Sequence, residues 1–154
     1  MQNEVLNFLG FLFLLFVLVP NLPPLFQFIL METFYDTEFA QFTFHQKILL
    51  LEFKPEVFLD VITAQKVTEA RFKIQNERAY AILCNITGIT DSDKSGRDYF
   101  AKHSPILAKA IALYAGNNVA QTIANFYIRY SAPKIPTQLF TTMPDTLAFL
   151  QKHT

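Results

Sequence analysis

The segment between residues 90 and 98, "TDSDKSGRD", holds the densest group of side chains that could do chemistry. Asp91 and Asp93 stand close together, and paired carboxylates are the groups that many enzymes use for general acid–base catalysis. Lys94 follows directly, however, and loop carboxylates beside a lysine are usually only solvated. We therefore predict no catalytic pair in this segment.

The two serines of the same segment, Ser92 and Ser95, could accept a phosphate. A phosphate on a serine at a helix N-terminus adds about two negative charges near backbone N–H donors, and Lys94 or Arg97 could pair with it. Asp, Ser and Gly are also the residues of an ordinary strand-to-helix turn, where they cap the helix and supply a positive φ at Gly96. The sequence favours the turn, and regulatory phosphorylation of Ser95 or Ser92 is the alternative.

The remaining reactive side chains show no pattern of an active site. Cys84 is the only cysteine and lies in an apolar run, where we expect a buried structural thiol. The three histidines, His45, His103 and His153, are not spaced as metal ligands, and no GxSxG, HExxH or phosphate-loop motif occurs. We predict no enzymatic activity, no metal and no cofactor.

The segment "NFYIRYSAPKIP" is the best candidate for a surface that binds another protein. Successive aromatic residues of a helix point in different directions, so Phe126, Tyr127 and Tyr130 are not all expected on one buried side. Arg129 and Lys134 flank them, and aromatic side chains with arginine are typical of interface hot spots. The simpler alternative is that two aromatics face the sheet while Tyr130 packs on the proline-rich turn.

Composition limits the classes of function. Thirteen basic and thirteen acidic residues leave no net charge, so the sequence lacks the basic excess of a nucleic-acid-binding protein. The length of 154 residues is enough for one domain with its own core.

The first thirty residues differ from the rest of the chain. Residues 8–20 form an apolar run shorter than the roughly 20 residues of a membrane span, which a second apolar patch could extend over residues 5–30. Met31 could equally be the natural start of the chain, in which case residues 1–30 are a spurious upstream extension. We expect a separate domain at 31–154 that is cytoplasmic, or anchored to a membrane with the domain in the cytoplasm.

The elements that must position these residues follow from apolar periodicity and breaking residues. Asp60 is a plausible N-cap, Asn117 caps a later helix, and Pro144 suits the first turn of the last helix. The predicted order is strands over 38–46 and 48–53, a helix over 61–74, a strand over 79–86, a helix over 97–103, a strand over 108–116, a helix over 118–130, a strand over 137–141 and a helix over 144–153.

This β-β-α-β-α-β-α-β-α order predicts an α/β fold with a mixed sheet covered by helices. The order resembles that of the STAS superfamily, the SpoIIAA-like fold of sporulation anti-sigma-factor antagonists. More closely, it resembles a set of small bacterial STAS-like domains of unknown function. The resemblance covers residues 33–152, and the stretches that carry it are "ANFYIRYSAPKIPTQLFT", "VTEAR", "GRDYFA" and "TLAFLQK".

The resemblance implies a role for the segment that holds the two serines. In phosphorylated STAS proteins the equivalent loop is similar to "DSSG", and Asp93, Lys94, Ser95 and Gly96 align with it. Lys94 stands where a hydroxyl residue would be expected, which puts the phosphorylation in doubt. The resemblance implies a non-enzymatic signalling or interaction domain with a protein partner. The alternative is a membrane-associated protein that binds a lipid or another apolar ligand.

Overall fold

A computed structural model describes residues 34–131 and 133–154. The predicted apolar segment at 1–30 lies outside these residues. The described residues form eight strands and four helices, which are β1 (Phe34–Asp36), β2 (Ala40–His45), β3 (Ile48–Phe53), β4 (Val57–Leu59), α1 (Val61–Gln75), β5 (Tyr80–Asn85), β6 (Ile89–Ser92), α2 (Lys94–His103), β7 (Ala108–Tyr114), α3 (Asn118–Ser131), β8 (Thr137–Phe140) and α4 (Met143–Gln151).

Six of the strands form one mixed sheet with the order β1-β2-β3-β5-β7-β8. The first three strands are antiparallel neighbours, and β3, β5, β7 and β8 run parallel. The continuous apolar run of β5 lies between β3 and β7, as expected for a strand buried on both faces. The remaining two strands, β4 and β6, pair in parallel as a small second sheet.

Helices lie on both faces of the main sheet. Helices α1, α2 and α3 pack on one face, where Phe42, Leu51 and Ile111 belong to the larger core cluster. Helix α4 packs on the other face, where Leu150 meets Leu83 in a smaller cluster. The predicted α/β fold with a helix-covered mixed sheet is confirmed.

The predicted starts of α1, α3 and α4 are also confirmed. The Asp60 carboxylate accepts a hydrogen bond from the Thr63 backbone N–H at 2.7 Å, and Asn117 Oδ1 accepts one from the Ala120 backbone N–H at 2.8 Å. Pro144 stands in the first turn of α4. These contacts lie within one turn of each helix, which is why the local sequence predicts them.

The sequence missed three short strands, β1, β4 and β6, which are three or four residues long. The segment 90–98 is therefore not a loop, because its first residues belong to β6 and α2 begins at Lys94 rather than at Arg97. None of the helices in the described residues has the length and apolarity that crossing a membrane requires.

Candidate functional site

Of the residues predicted as a turn, only Asp93 lies between β6 and α2. Asp93 is the N-cap of α2, and its Oδ1 accepts hydrogen bonds from the Gly96 backbone N–H at 2.7 Å and from the Ser95 hydroxyl at 2.8 Å. The bond from the Gly96 backbone, followed by that from Ser95, lowers the pKa of Asp93. Asp91 is exposed, and its Oδ1 accepts the Ser92 backbone N–H at 2.7 Å. Both carboxylates therefore hold local backbone, as the turn interpretation requires.

The starts of α1 and α2 lie side by side. The Asp93 backbone N–H donates to the Leu59 carbonyl at 3.2 Å, next to the Asp60 cap of α1. The hydrogen bond from the Thr63 backbone lowers the pKa of Asp60, against a weaker repulsion from the Asp93 charge. Each helix thus has its own carboxylate at its positive end, which is the favourable placement of negative charge.

The two serines have different environments. Ser95 is exposed in the first turn of α2, where its hydroxyl donates to Asp93. Ser92 is half-buried, and Arg97 Nη1 donates both to its carbonyl oxygen at 2.6 Å and to its hydroxyl at 3.0 Å. Of the two predicted phosphorylation candidates, Ser95 has the more accessible hydroxyl.

The predicted reason for Gly96 is wrong. No glycine in the described residues has a positive φ. Gly96 is needed instead because α2 starts against the end of β4, where a Cβ would lie 2.3 Å from the Leu59 carbonyl oxygen and 2.9 Å from the Asp60 carbonyl carbon. Only the absence of a side chain lets the two segments approach this closely.

We expect Gly96→Ala to lower the free energy of unfolding by about 1–3 kcal/mol, because the added methyl group overpacks against backbone that cannot rotate away. Helix propensity alone favours alanine over glycine by about 1 kcal/mol, so the sign of the change decides which effect dominates. Urea denaturation measures it, with Ser95→Ala in the preceding exposed position as the control. A stabilised Gly96→Ala variant would show that the α2 start can move away from Leu59.

Tyr127, which the sequence predicted as part of an interaction surface, is buried in the structure. Its side chain is only 9% exposed, and its hydroxyl is 2.8 Å from the Ser104 hydroxyl. Burial raises the pKa of Tyr127. The residue lies on the same side of α3 as the buried Ala120 and Ala124, because positions three and four apart share a helix face.

Phe126 and Tyr130 do lie on the surface, on the outer side of α3. They are 43% and 67% exposed, and their ring centroids are 4.3 Å apart. The Arg97 guanidinium lies 4.5 Å from the Phe126 ring centroid, and that of Arg129 lies 5.9 Å from the Tyr130 centroid. We call these four side chains the α3 aromatic surface. Phe126 therefore does not face the sheet as the simpler alternative requires, and only Tyr127 does.

Lys134 and Arg97 also bear on the predicted surface. Lys134 is exposed in the segment after α3, and no described contact joins it to the α3 aromatic surface. Arg97 belongs to that surface although the sequence did not place it there. It comes from α2, so no helical spacing could connect it with Phe126.

A buried arginine ties α1 to the end of α2. Arg71 is 4% exposed, and its Nη1 donates to Gln75 Oε1 at 2.7 Å and to the Ile106 carbonyl at 3.0 Å. Its Nη2 donates to the carbonyls of His103 and Ser104 at 3.2 and 3.3 Å. Burial lowers the pKa of Arg71 to about 10, which leaves it charged at neutral pH. The partial negative charge at the C-terminal end of α2 therefore faces a cation.

The other reactive side chains have structural roles. Cys84 is buried as predicted, and burial raises the pKa of its thiol to about 12. The His103 ring stacks on that of Tyr99 at 4.0 Å between centroids. Within residues 34–131 and 133–154, no three His, Cys, Asp or Glu side chains are placed to hold a metal ion.

Comparison with known proteins agrees with this architecture. The model of a family described as a domain of unknown function, DUF7793, matches residues 42–154. None of the curated proteins matches the sequence.

Solved structures are also similar to the chain, and two of them show the fold. One is an uncharacterised protein of the DUF3478 family with a SpoIIAA-like fold from Shewanella loihica, with a TM-score of 0.51 and 12% identity over 72% of this chain and 91% of that one. The other is an anti-sigma factor antagonist from Mycobacterium paratuberculosis, with a TM-score of 0.53 and 13% identity over 73% of this chain and 92% of that one. The fold is therefore STAS-like, and the chain belongs to the DUF7793 family of domains of unknown function.

Proposed function

We propose that this protein is a non-enzymatic signalling or interaction domain that works by presenting a surface to a protein partner. The proposal rests on the α3 aromatic surface, where the guanidinium groups of two arginines lie close to two exposed aromatic rings. Tyr and Arg are enriched among the residues that contribute most to protein–protein binding. The fold shared with an anti-sigma factor antagonist supports the same class of function.

The alternative, a membrane-associated protein that binds a lipid or another apolar ligand, rests on residues 5–30. Those residues lie outside the described part of the chain. The interaction hypothesis rests on described side chains and is the one we propose. Cytoplasmic placement of the domain remains part of that proposal.

Quantitative affinity capture from native lysate tests whether the α3 aromatic surface binds a protein partner. We expect wild-type protein to enrich at least one partner, and Tyr130→Ala to reduce its recovery about tenfold or more, as expected for an interface hot spot. Met143→Ala is the matched control, because Met143 is also apolar and 38% exposed but lies at the start of α4. Equal recovery with Tyr130→Ala and with wild type would exclude this surface as the binding site.

Regulation by phosphate at Ser95 is tested separately. We expect Ser95→Asp to change the free energy of unfolding by less than about 1 kcal/mol, because the added charge lies at the positive end of α2 but close to Asp93. We also expect it to leave the set of captured partners unchanged. Loss of a partner with Ser95→Asp, together with phosphate on Ser95 or Ser92 in the native protein, would establish a regulatory site instead of a turn.

A further inference from the structure

The core on the α1–α3 side of the sheet contains a cavity of about 70 Å³. Its walls are almost entirely apolar, and the strand residues among them include Leu51, Ile82, Cys84, Ile111 and Leu113. An engineered apolar cavity of about 150 Å³ in another protein stays dry and binds benzene. A cavity of half that size has room for an apolar group of a few carbon atoms.

The cavity opens between α2 and α3. Most lining residues are buried, and the four that are partly exposed are Arg97, Phe100, Ser104 and Ile123. All four belong to α2, to its C-cap or to α3. The hydrogen bond between the Ser104 and Tyr127 hydroxyls and the contact of Arg97 with Phe126 bridge the two helices. A ligand therefore reaches the cavity by passing between these side chains.

Two cations line the cavity, Arg71 and Arg97. Neither guanidinium forms a salt bridge with a carboxylate among the described residues. Asp93 attracts Arg97 electrostatically but does not form a salt bridge with it. Arg97 Nε is buried and has no hydrogen-bond partner among the described residues. An unpaired buried donor on a charged group is unfavourable unless an acceptor occupies the site.

We propose that this cavity binds a small monocarboxylate with a short apolar tail, of the size of butyrate. The tail occupies the apolar cavity, and the carboxylate lies at the opening, where the Arg97 side chain moves to donate its Nε–H to it. The hydrogen bond to a charged donor and the burial of the tail act together. This ligand site adjoins the protein-binding surface proposed above, because Arg97 belongs to both, but the binding of the ligand does not depend on a protein partner.

Amide chemical shifts of the full chain, titrated with sodium butyrate at constant ionic strength, test the proposal. We expect saturable shifts in α2, α3 and the central strands. Acetate, which lacks the tail, and butanol, which lacks the charge, should each bind at least tenfold more weakly. Equal responses to acetate and butyrate would reduce the site to a surface anion contact and overturn the proposal.

Variants locate the site. Ala124 is buried and lines the cavity, so Ala124→Leu should fill the cavity, keep or raise the melting temperature, and weaken butyrate binding at least tenfold. Asn125→Leu, in the next and exposed position, is the matched control and should change the affinity for butyrate less than twofold.

Arg97→Gln tests the proposed contact with the carboxylate. It should weaken butyrate binding at least tenfold and butanol binding less than twofold. If Ala124→Leu does not fold, the Arg97→Gln result alone tests the proposal. Unchanged butyrate binding in Arg97→Gln would contradict the assignment.

Discussion

Replacing Arg71 with methionine is expected to lower the free energy of unfolding by about 3–5 kcal/mol, because one buried and three part-buried acceptors lose their donor and each acceptor left unsatisfied away from water costs about 1–3 kcal/mol. The acceptors are Gln75 Oε1 and the carbonyls of His103, Ser104 and Ile106. Release of the guanidinium from its buried position offsets part of the loss, since a buried charge is itself unfavourable. Methionine keeps the apolar length of the side chain, so the change isolates the hydrogen bonds.

Lys73→Met is the matched control for this experiment. Lys73 lies in the last turn of the same helix and is exposed, so its replacement should change the stability by less than about 0.5 kcal/mol. Urea unfolding followed by circular dichroism measures both variants. A loss of less than about 1 kcal/mol for Arg71→Met would show that water replaces the guanidinium at the end of α2 without penalty.

Leu83→Ala is expected to lower the free energy of unfolding by about 2–5 kcal/mol, the range for a leucine removed from a packed core. Leu83 is 3% exposed and lies in the central strand β5, between β3 and β7. It packs in the smaller cluster with Ile48, Ala112 and Leu150. Removal of its side chain leaves a space under α4 that the rigid sheet cannot close.

Ile62→Ala provides the comparison, because Ile62 is 58% exposed and its truncation should change the stability by less than about 0.5 kcal/mol. Guanidinium denaturation of the two variants gives the difference directly. If Leu83→Ala lost less than about 1 kcal/mol, the packing between β5 and α4 would contribute far less than its burial indicates.

The sequence was sufficient for the features whose cause is local. The bounds of β3 are those predicted at 48–53, because an apolar run ended by Pro55 needs no distant information. The caps at Asp60 and Asn117 depend on a side chain and a backbone N–H three positions later. The buried state of Cys84 followed from its place in a continuous apolar strand.

The short strands could not be predicted in this way. β4 has three residues, too few to show an alternating pattern, and its partner β6 begins 32 positions later, as the pairing of Val57 with Ile89 shows. The polar residues of β6 looked like a loop because their strand is stabilised by β4 rather than by their own apolar character. The start of α2 was misplaced although its cap at Asp93 is as local as those at Asp60 and Asn117, because the whole segment was assigned to a turn.

The sequence by itself determined the fold class, the order of the main elements and the caps of α1 and α3, because each depends on periodicity or on contacts within a few residues. Only the tertiary structure determined which side chains form the candidate site. It buried Tyr127 while exposing Tyr130, brought Arg97 of α2 to Phe126 of α3, and directed Arg71 to carbonyls 32 to 35 positions later in the chain. These contacts join segments that are distant in sequence, so the packing of helices on the sheet determines them, and no local pattern encodes that packing.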